Sequence, residues 1–286
     1  MNPNFVTIGH ICKDLMPDGS YIPGGTVTFA SVTARNLGER TAILTAAPHD
    51  VRQSPLFHGI EIRGPETNVA TIFENIYTPA GREQFVRAVA PVIGESDVPE
   101  EWRGPSSGIE IVLLGPIAQE CDPNLVKQFP DAVIGLTPQG YMRAWPTDGR
   151  VQAIDWEGAK ALLPRLSAMV LSGEDLPKGP HGQEVLQLYI DHCPIVVLTQ
   201  GPRGCTVLQG GQSTRVPAYP AQEIEPTGAG DVFATSFLIH LSKSGDSLAS
   251  ARFANAAAAC NIEKPGATGV PTLPEVEERM RLTPLP

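Results

Sequence analysis

Short apolar runs alternate with helical patterns along most of this chain, and that order limits the folds open to it. Phe5-Val6-Thr7-Ile8-Gly9 reads as a buried strand. Gly24 and Gly25 then punctuate the chain before a helical pattern from Thr28 to Leu37, stopped by Gly38. Further strands are expected at 41–45, 109–114, 132–136, 168–171 and 195–199, with helical patterns at 123–129, 156–163 and 182–192 among them. Helices at 230–243, 248–262 and 273–281 close the pattern. Such an order predicts an α/β fold with a mostly parallel central sheet and helices on both faces. One stretch breaks the rhythm. Residues 69–77 and 83–89 are β-rich runs around the turn Thr78-Pro79-Ala80-Gly81, a hairpin rather than a βα unit. Smaller hairpins are expected at Asp148-Gly149 and Gly210-Gly211. The expectation is a single domain over 1–286, with a small projecting sheet formed by about 15–24 and 60–93.

Bulk properties narrow the function classes. Of the 286 residues, 42% are hydrophobic and 18% charged, which suits a large buried core and argues against disorder. Acidic residues outnumber basic ones by 31 to 21, for a net charge of −10, and no basic stripe is visible. Nucleic acid is therefore not the expected partner. The five cysteines are scattered singly without C-x-x-C spacing, which reads as reduced thiols in a cytoplasmic protein. No signal-like N-terminal pattern and no bilayer-length apolar run is found, so no membrane association is expected.

The chemistry concentrates in Glu225-Pro226-Thr227-Gly228-Ala229-Gly230-Asp231-Val232-Phe233. Gly228 and Gly230 let backbone N–H groups converge without side-chain obstruction. A helix starting there adds its own unpaired N–H groups and the positive end of its dipole. The result is an anion cradle with a carboxylate beside it. That pairing suits removal of a proton from a hydroxyl while an incoming phosphoryl group is held and neutralised. Asp14, a few residues past the first strand, falls where open parallel sheets bind ligands. A carboxylate there can accept hydrogen bonds from two neighbouring hydroxyls of a polyol.

The segment 225–233 resembles the second signature of the ribokinase-like (PfkB-type) carbohydrate kinases, roughly D-T-x-G-A-G-D-x-F. The resemblance runs from about residue 5 to 272. It implies the ribokinase-like three-layer α/β/α sandwich with a β-sheet lid. It also implies an ATP- and Mg²⁺-dependent phosphotransferase with Asp231 as general base and Gly228, Ala229 and Gly230 as the anion hole. Asp14 matches the family's sugar-clamping aspartate, and Gly24, Gly25 and Thr28 fall in a segment similar to the first signature, G-G-x-x-x-N-x-A. Phe29 stands where relatives usually place a substrate-contacting asparagine, a departure that weakens the case for ribose itself.

For the donor, Thr199, Gly201, Arg203 and Gly204 resemble the T-x-G-x-x-G turn that lies along the nucleotide. Thr227 continues the anion loop, while Asn255 and Gly266 fall on the pieces that border adenine in the family. Ser172-Gly173-Glu174-Asp175 is similar to the N-x-x-E motif that orients magnesium, which makes Asp175 or Glu174 the metal residue. Glu225 replaces the leading aspartate that helps hold a monovalent cation in relatives, so cation activation is in doubt. A small sugar, cyclitol or nucleoside is the implied acceptor, and a homodimer through the lid the implied assembly. A catalytically idle nucleotide or sugar sensor on the same fold is the alternative. No G-x-x-x-x-G-K-[ST] or H-E-x-x-H pattern is present, which removes P-loop and zinc-protease readings.

Overall fold

The computed structural model describes residues 2–78 and 81–283. In chain order its elements are β1 (Phe5–Ile8), β2 (Cys12–Leu15), β3 (Tyr21–Gly24), α1 (Thr26–Asn36), β4 (Thr41–Leu44), α2 (His49–Arg52) and β5 (Glu61–Arg63). Then come β6 (Thr71–Thr78), β7 (Gly81–Ala88), β8 (Ile111–Leu114), β9 (Val133–Leu136), β10 (Arg143–Ala144), β11 (Gln152–Ala153), α3 (Ala159–Leu162) and β12 (Ala168–Ser172). The chain closes with α4 (Pro180–His192), β13 (Ile195–Thr199), β14 (Cys205–Gln209), β15 (Gln212–Val216), α5 (Ala229–Ser244), α6 (Ser247–Ile262) and α7 (Leu273–Leu282).

Nine strands form the main sheet in the order β15-β14-β13-β12-β9-β8-β1-β4-β5. All pair in parallel except the β14–β15 hairpin, which adds antiparallel to β13. Successive residues of each inner strand point to opposite faces, so one strand serves two cores. Phe5, Ile43, Leu113 and Val170 join one apolar cluster with α1, α5 and α6. Val6, Leu44, Leu114 and Leu171 join the other with Trp102, Leu162 and Tyr189. Val232 through Ile239 of α5 are all buried, as expected of a helix enclosed on every side. That helix ends at Gly245, which adopts φ 67°, and α6 restarts from Asp246, whose carboxylate accepts the N–H groups of Leu248 and Ala249.

The second sheet has the order β3-β2-β6-β7, with β2 parallel to β6 and the other pairs antiparallel. It differs from the expected lid in two respects. Residues 61–63 pair in parallel with β4 at the edge of the main sheet, so the 60–93 segment splits between two sheets. Strand β2 also begins at Cys12, ahead of the expected boundary, and brings Asp14 into the lid. The turn residues Pro79 and Ala80 lie outside the described residues. The hairpin β10–β11 forms where Asp148-Gly149 announced it, and its loop bridges to the lid at Phe85 and Arg150. The expected helix at 123–129 is a tighter 3-10 turn, Pro123–Gln128, capped by Asp122. All five cysteines are buried free thiols. Among the described residues no helix is long and apolar enough to cross a membrane.

Candidate active site

The ends of β1, β8, β9, β12 and β13 open towards one edge of the sheet, and the lid and the N-termini of α1 and α5 gather there. Asp231 occupies the first turn of α5. The Thr26 hydroxyl, in the first turn of α1, donates to its carboxylate, so two helix N-termini meet at one acid. Burial pushes the Asp231 carboxyl up to about 6; the Thr26 hydrogen bond and the nearby charge of Arg143 oppose that rise, and Asp175 adds to it. A carboxylate held near neutrality, with a fixed hydrogen bond, is poised to accept a proton.

Of the three N–H groups expected to form an anion cradle, one is already engaged. Ala229 N–H donates to Pro226 O at 3.2 Å and is spent within the turn. Those of Gly228, Gly230 and Asp231 have no acceptor among the described residues. Gly228 adopts φ 78°, and a Cβ there would lie 2.1 Å from the Phe29 ring. Only glycine fits that position. Phe29 is accordingly a core residue beneath the cradle, 6% exposed, rather than a platform for a ligand. A Cβ on Gly230 would meet nothing within 4 Å, so the cradle's mouth is open.

On the acceptor side, Asp14 lies against the Gly24 backbone: a Cβ on Gly24 would be 2.0 Å from Asp14 Oδ2. Cys12 Sγ–H donates to the other carboxylate oxygen at 3.7 Å. Gly25, at φ 86°, caps α1 and turns the chain from the lid to Thr26. Asp14 and Asp231 thus flank the Gly24–Thr26 turn. Thr28 does not join them. It is fully buried and its hydroxyl donates to Gly24 O at 2.6 Å, so it braces the turn instead of meeting a substrate. Register brings residues to the lid's inner face that motif reading missed. Phe73 pairs opposite Asp14, and one pleat further Asn75 pairs with Gln84, whose Nε2 donates to Asn75 Oδ1 at 3.0 Å.

Asp175 accepts from Gln139 Nε2 and from Ser172 N–H, each at 3.1 Å, which fixes it between the ends of β9 and β12. Glu174 is exposed beside it. Among the described residues no cluster of three or more His, Cys, Asp or Glu is positioned to hold a metal. One or two carboxylates plus donor phosphates is nonetheless how magnesium is commonly held, and Asp175 with Glu174 fits that pattern. Arg203 is exposed with no ion-pair partner among the described residues, and Gly201 beside it, at φ 56°, opens onto free space. Gly204 is buried: a Cβ would lie 2.2 Å from Val216 O. The Thr199 hydroxyl is bonded to Leu171 O at 3.2 Å.

Thr227 is exposed, and its carbonyl accepts from Asn261 Nδ2 at 3.3 Å. Gly266 N–H donates to Glu225 Oε2 at 3.0 Å, which ties the 264–267 turn to the cradle. Asn255 departs from expectation: it is 6% exposed, and its Nδ2 donates to Val216 O at 3.3 Å and Pro217 O at 3.1 Å. That amide fastens α6 to the end of β15 and is not offered to a base edge. Arg143, Thr26 and Gln139 were the functional residues missed. Each stands alone in the sequence, and only the fold brings it to Asp231 or Asp175.

The profile of the pfkB family carbohydrate kinases matches residues 178–274, the part that carries the donor turn, the cradle and α6. Inositol 3-kinase of Arabidopsis thaliana is 25% identical over 261 residues, 84% of this chain and 68% of that one. The chain is thus similar to the pfkB family carbohydrate kinases over residues 178–274, and the likeness to inositol 3-kinase extends along most of its length. Its fold is that of the ribokinases. Arabidopsis thaliana ribokinase complexed with ribose and ATP superposes with a TM-score of 0.74 at 16% identity, over 99% of this chain and all of that one. A pyrophosphate-dependent kinase in the ribokinase family, complexed with a pyrophosphate analog and myo-inositol, gives 0.78 at 22% identity, over 96% and 99%.

Two outcomes follow from these contacts. Folding raises the Asp231 pKa, so the fold is most stable where that group is protonated and loses stability as pH climbs from about 4 through about 6. Asp231→Asn removes the charge and should raise Tm at pH 8 by about 2–6 °C, an upper range for a half-buried group. Calorimetry that finds the variant less stable than wild type would contradict the burial argument. Asn255→Ala should cost about 1–3 kcal/mol of stability by stranding one buried and one part-buried carbonyl. Donor KM in that variant should stay within about threefold, a change smaller than one lost hydrogen bond brings.

Proposed function

We propose that this protein phosphorylates a hydroxyl of a small polyol, with a cyclitol of the myo-inositol kind the favoured acceptor. One observation carries the reading: Asp231, held by Thr26, sits beside three main-chain N–H groups that lack acceptors among the described residues. The acceptor hydroxyl hydrogen-bonds to the Asp231 carboxylate, which takes its proton as the new O–P bond forms and the bond to the leaving phosphate breaks. Gly228, Gly230 and Asp231 N–H groups, with Arg143, face the charge spread over the transferring group. Magnesium held at Asp175, with Glu174, would neutralise charge on the donor phosphates. Asp14 and the Asn75–Gln84 pair present acceptors and donors to the ring hydroxyls, while Phe73 and Val86 give the apolar backing. The lid shields the transfer from water.

The likeness to inositol 3-kinase and to the myo-inositol complex supports the cyclitol over a nucleoside. ATP is the donor expected from the family resemblance. Pyrophosphate is the second reading, favoured by the spent amide of Asn255 and by the likeness to a pyrophosphate-dependent kinase. Assays of ADP or phosphate release with each donor, over myo-inositol, ribose, fructose and nucleosides, decide both points. Myo-inositol should stimulate turnover, and kcat/KM should fall about tenfold per pH unit below about 6 as Asp231 is protonated. Asp231→Asn should lower kcat by about 10²–10⁴. If no acceptor stimulates release above the level of that variant, the chain is an idle sensor rather than a kinase.

We also infer a homodimer through the lid. Met16, Ile22 and Val69 are exposed apolar residues on or beside it, and β3 leaves an unpaired edge there. Sedimentation velocity that gives a monomer at micromolar concentration would remove the dimer.

A further inference from the structure

His10 is fully buried at the joint between β1 and β2, and nothing in the transfer chemistry uses it. Its ring spans the base of the lid. Nε2 lies 2.9 Å from Pro91 O, just past the end of β7, and Nδ1 lies 2.7 Å from Thr71 Oγ1, the first residue of β6. A carbonyl only accepts, so Nε2 carries the proton, and burial lowers the ring's pKa so that Nδ1 stays bare. The Thr71 hydroxyl fits that assignment: it takes Ala90 N–H at 3.0 Å and gives its own proton to Nδ1.

The main chain at His10 is pinned as well. Its N–H donates to Glu120 Oε1 at 3.0 Å. Glu120, 1% exposed, also accepts the N–H groups of Ile117 and Ala118. One side chain therefore ties both ends of the β6–β7 hairpin to the segment that leads, four residues later, to Asp14. A closed set of buried bonds of this kind is costly to break at any one member.

We infer that His10 is a positioning residue for the acceptor: it holds the β6–β7 hairpin against β2 so that Asp14, Asn75 and Gln84 keep one geometry. The inference rests on the reading of Asp14 as the acceptor clamp. Thr71→Val removes the hydroxyl at nearly constant shape, and Thr71→Ser retains it. In Thr71→Val, amide hydrogen exchange across 71–76 and 83–88 should quicken about tenfold while exchange in β1, β8 and β9 stays unchanged. Acceptor KM should rise about tenfold, with kcat and donor KM within about threefold. Thr71→Ser should behave as wild type, and the His10→Ala, Thr71→Val double variant should be no worse than the poorer single one.

Unchanged lid exchange in Thr71→Val, or exchange quickened equally throughout the main sheet, would overturn the anchoring role. Faster lid exchange with an unaltered acceptor KM would overturn the positioning role. If wild type phosphorylates none of the acceptors, the kinase reading fails, while the exchange data still decide whether His10 anchors the lid.

Discussion

The hydrogen bond from Thr26 to Asp231 is the point on which this molecule's chemistry turns. It joins the first turn of α1 to the first turn of α5, two elements separated by nearly two hundred residues. Both helices point their unpaired N–H groups towards the same space, which makes that space favourable for phosphate oxygens. The same geometry opposes itself: a buried acid raised towards neutrality sits among groups that attract anions. Thr26 and Arg143 favour its ionised form, whereas burial and Asp175 favour the protonated one.

Around that pair the fold separates two tasks. In the main body, bonds such as those of Asn255 to the end of β15 and of Asp175 to Gln139 and Ser172 tie separate elements together. The small sheet carries Asp14 and meets the main body where β1 leads into β2. There His10, Thr71 and Glu120 pair their polar groups completely, as buried groups must.

Much of this was legible in the residues. Alternating runs specified a parallel sheet with helices on both faces, because a strand buried on both sides has to be apolar throughout. The Gly228-to-Asp231 motif marked the start of α5, since glycine at φ 78° answers a backbone need that other residues meet poorly. Legibility failed where a residue's fate depends on distant backbone. Thr28 and Asn255 have the right chemistry for ligand contact, yet carbonyls from other elements already take their donors. Residues 61–63 look like part of the β insert, but the free edge at β4 captures them.

The sequence by itself determined the architecture and the glycine-bounded start of α5 with its acid, for each rests on short-range rules of periodicity, glycine conformation and helix ends. Tertiary structure alone decided which polar groups remain available and which cations and hydroxyls reach Asp231. Arg143, Gln139 and Thr26 arrive from three separate segments, and no spacing along the chain encodes their meeting. Hydrogen bonds act over about 3 Å of space, whatever the distance along the chain.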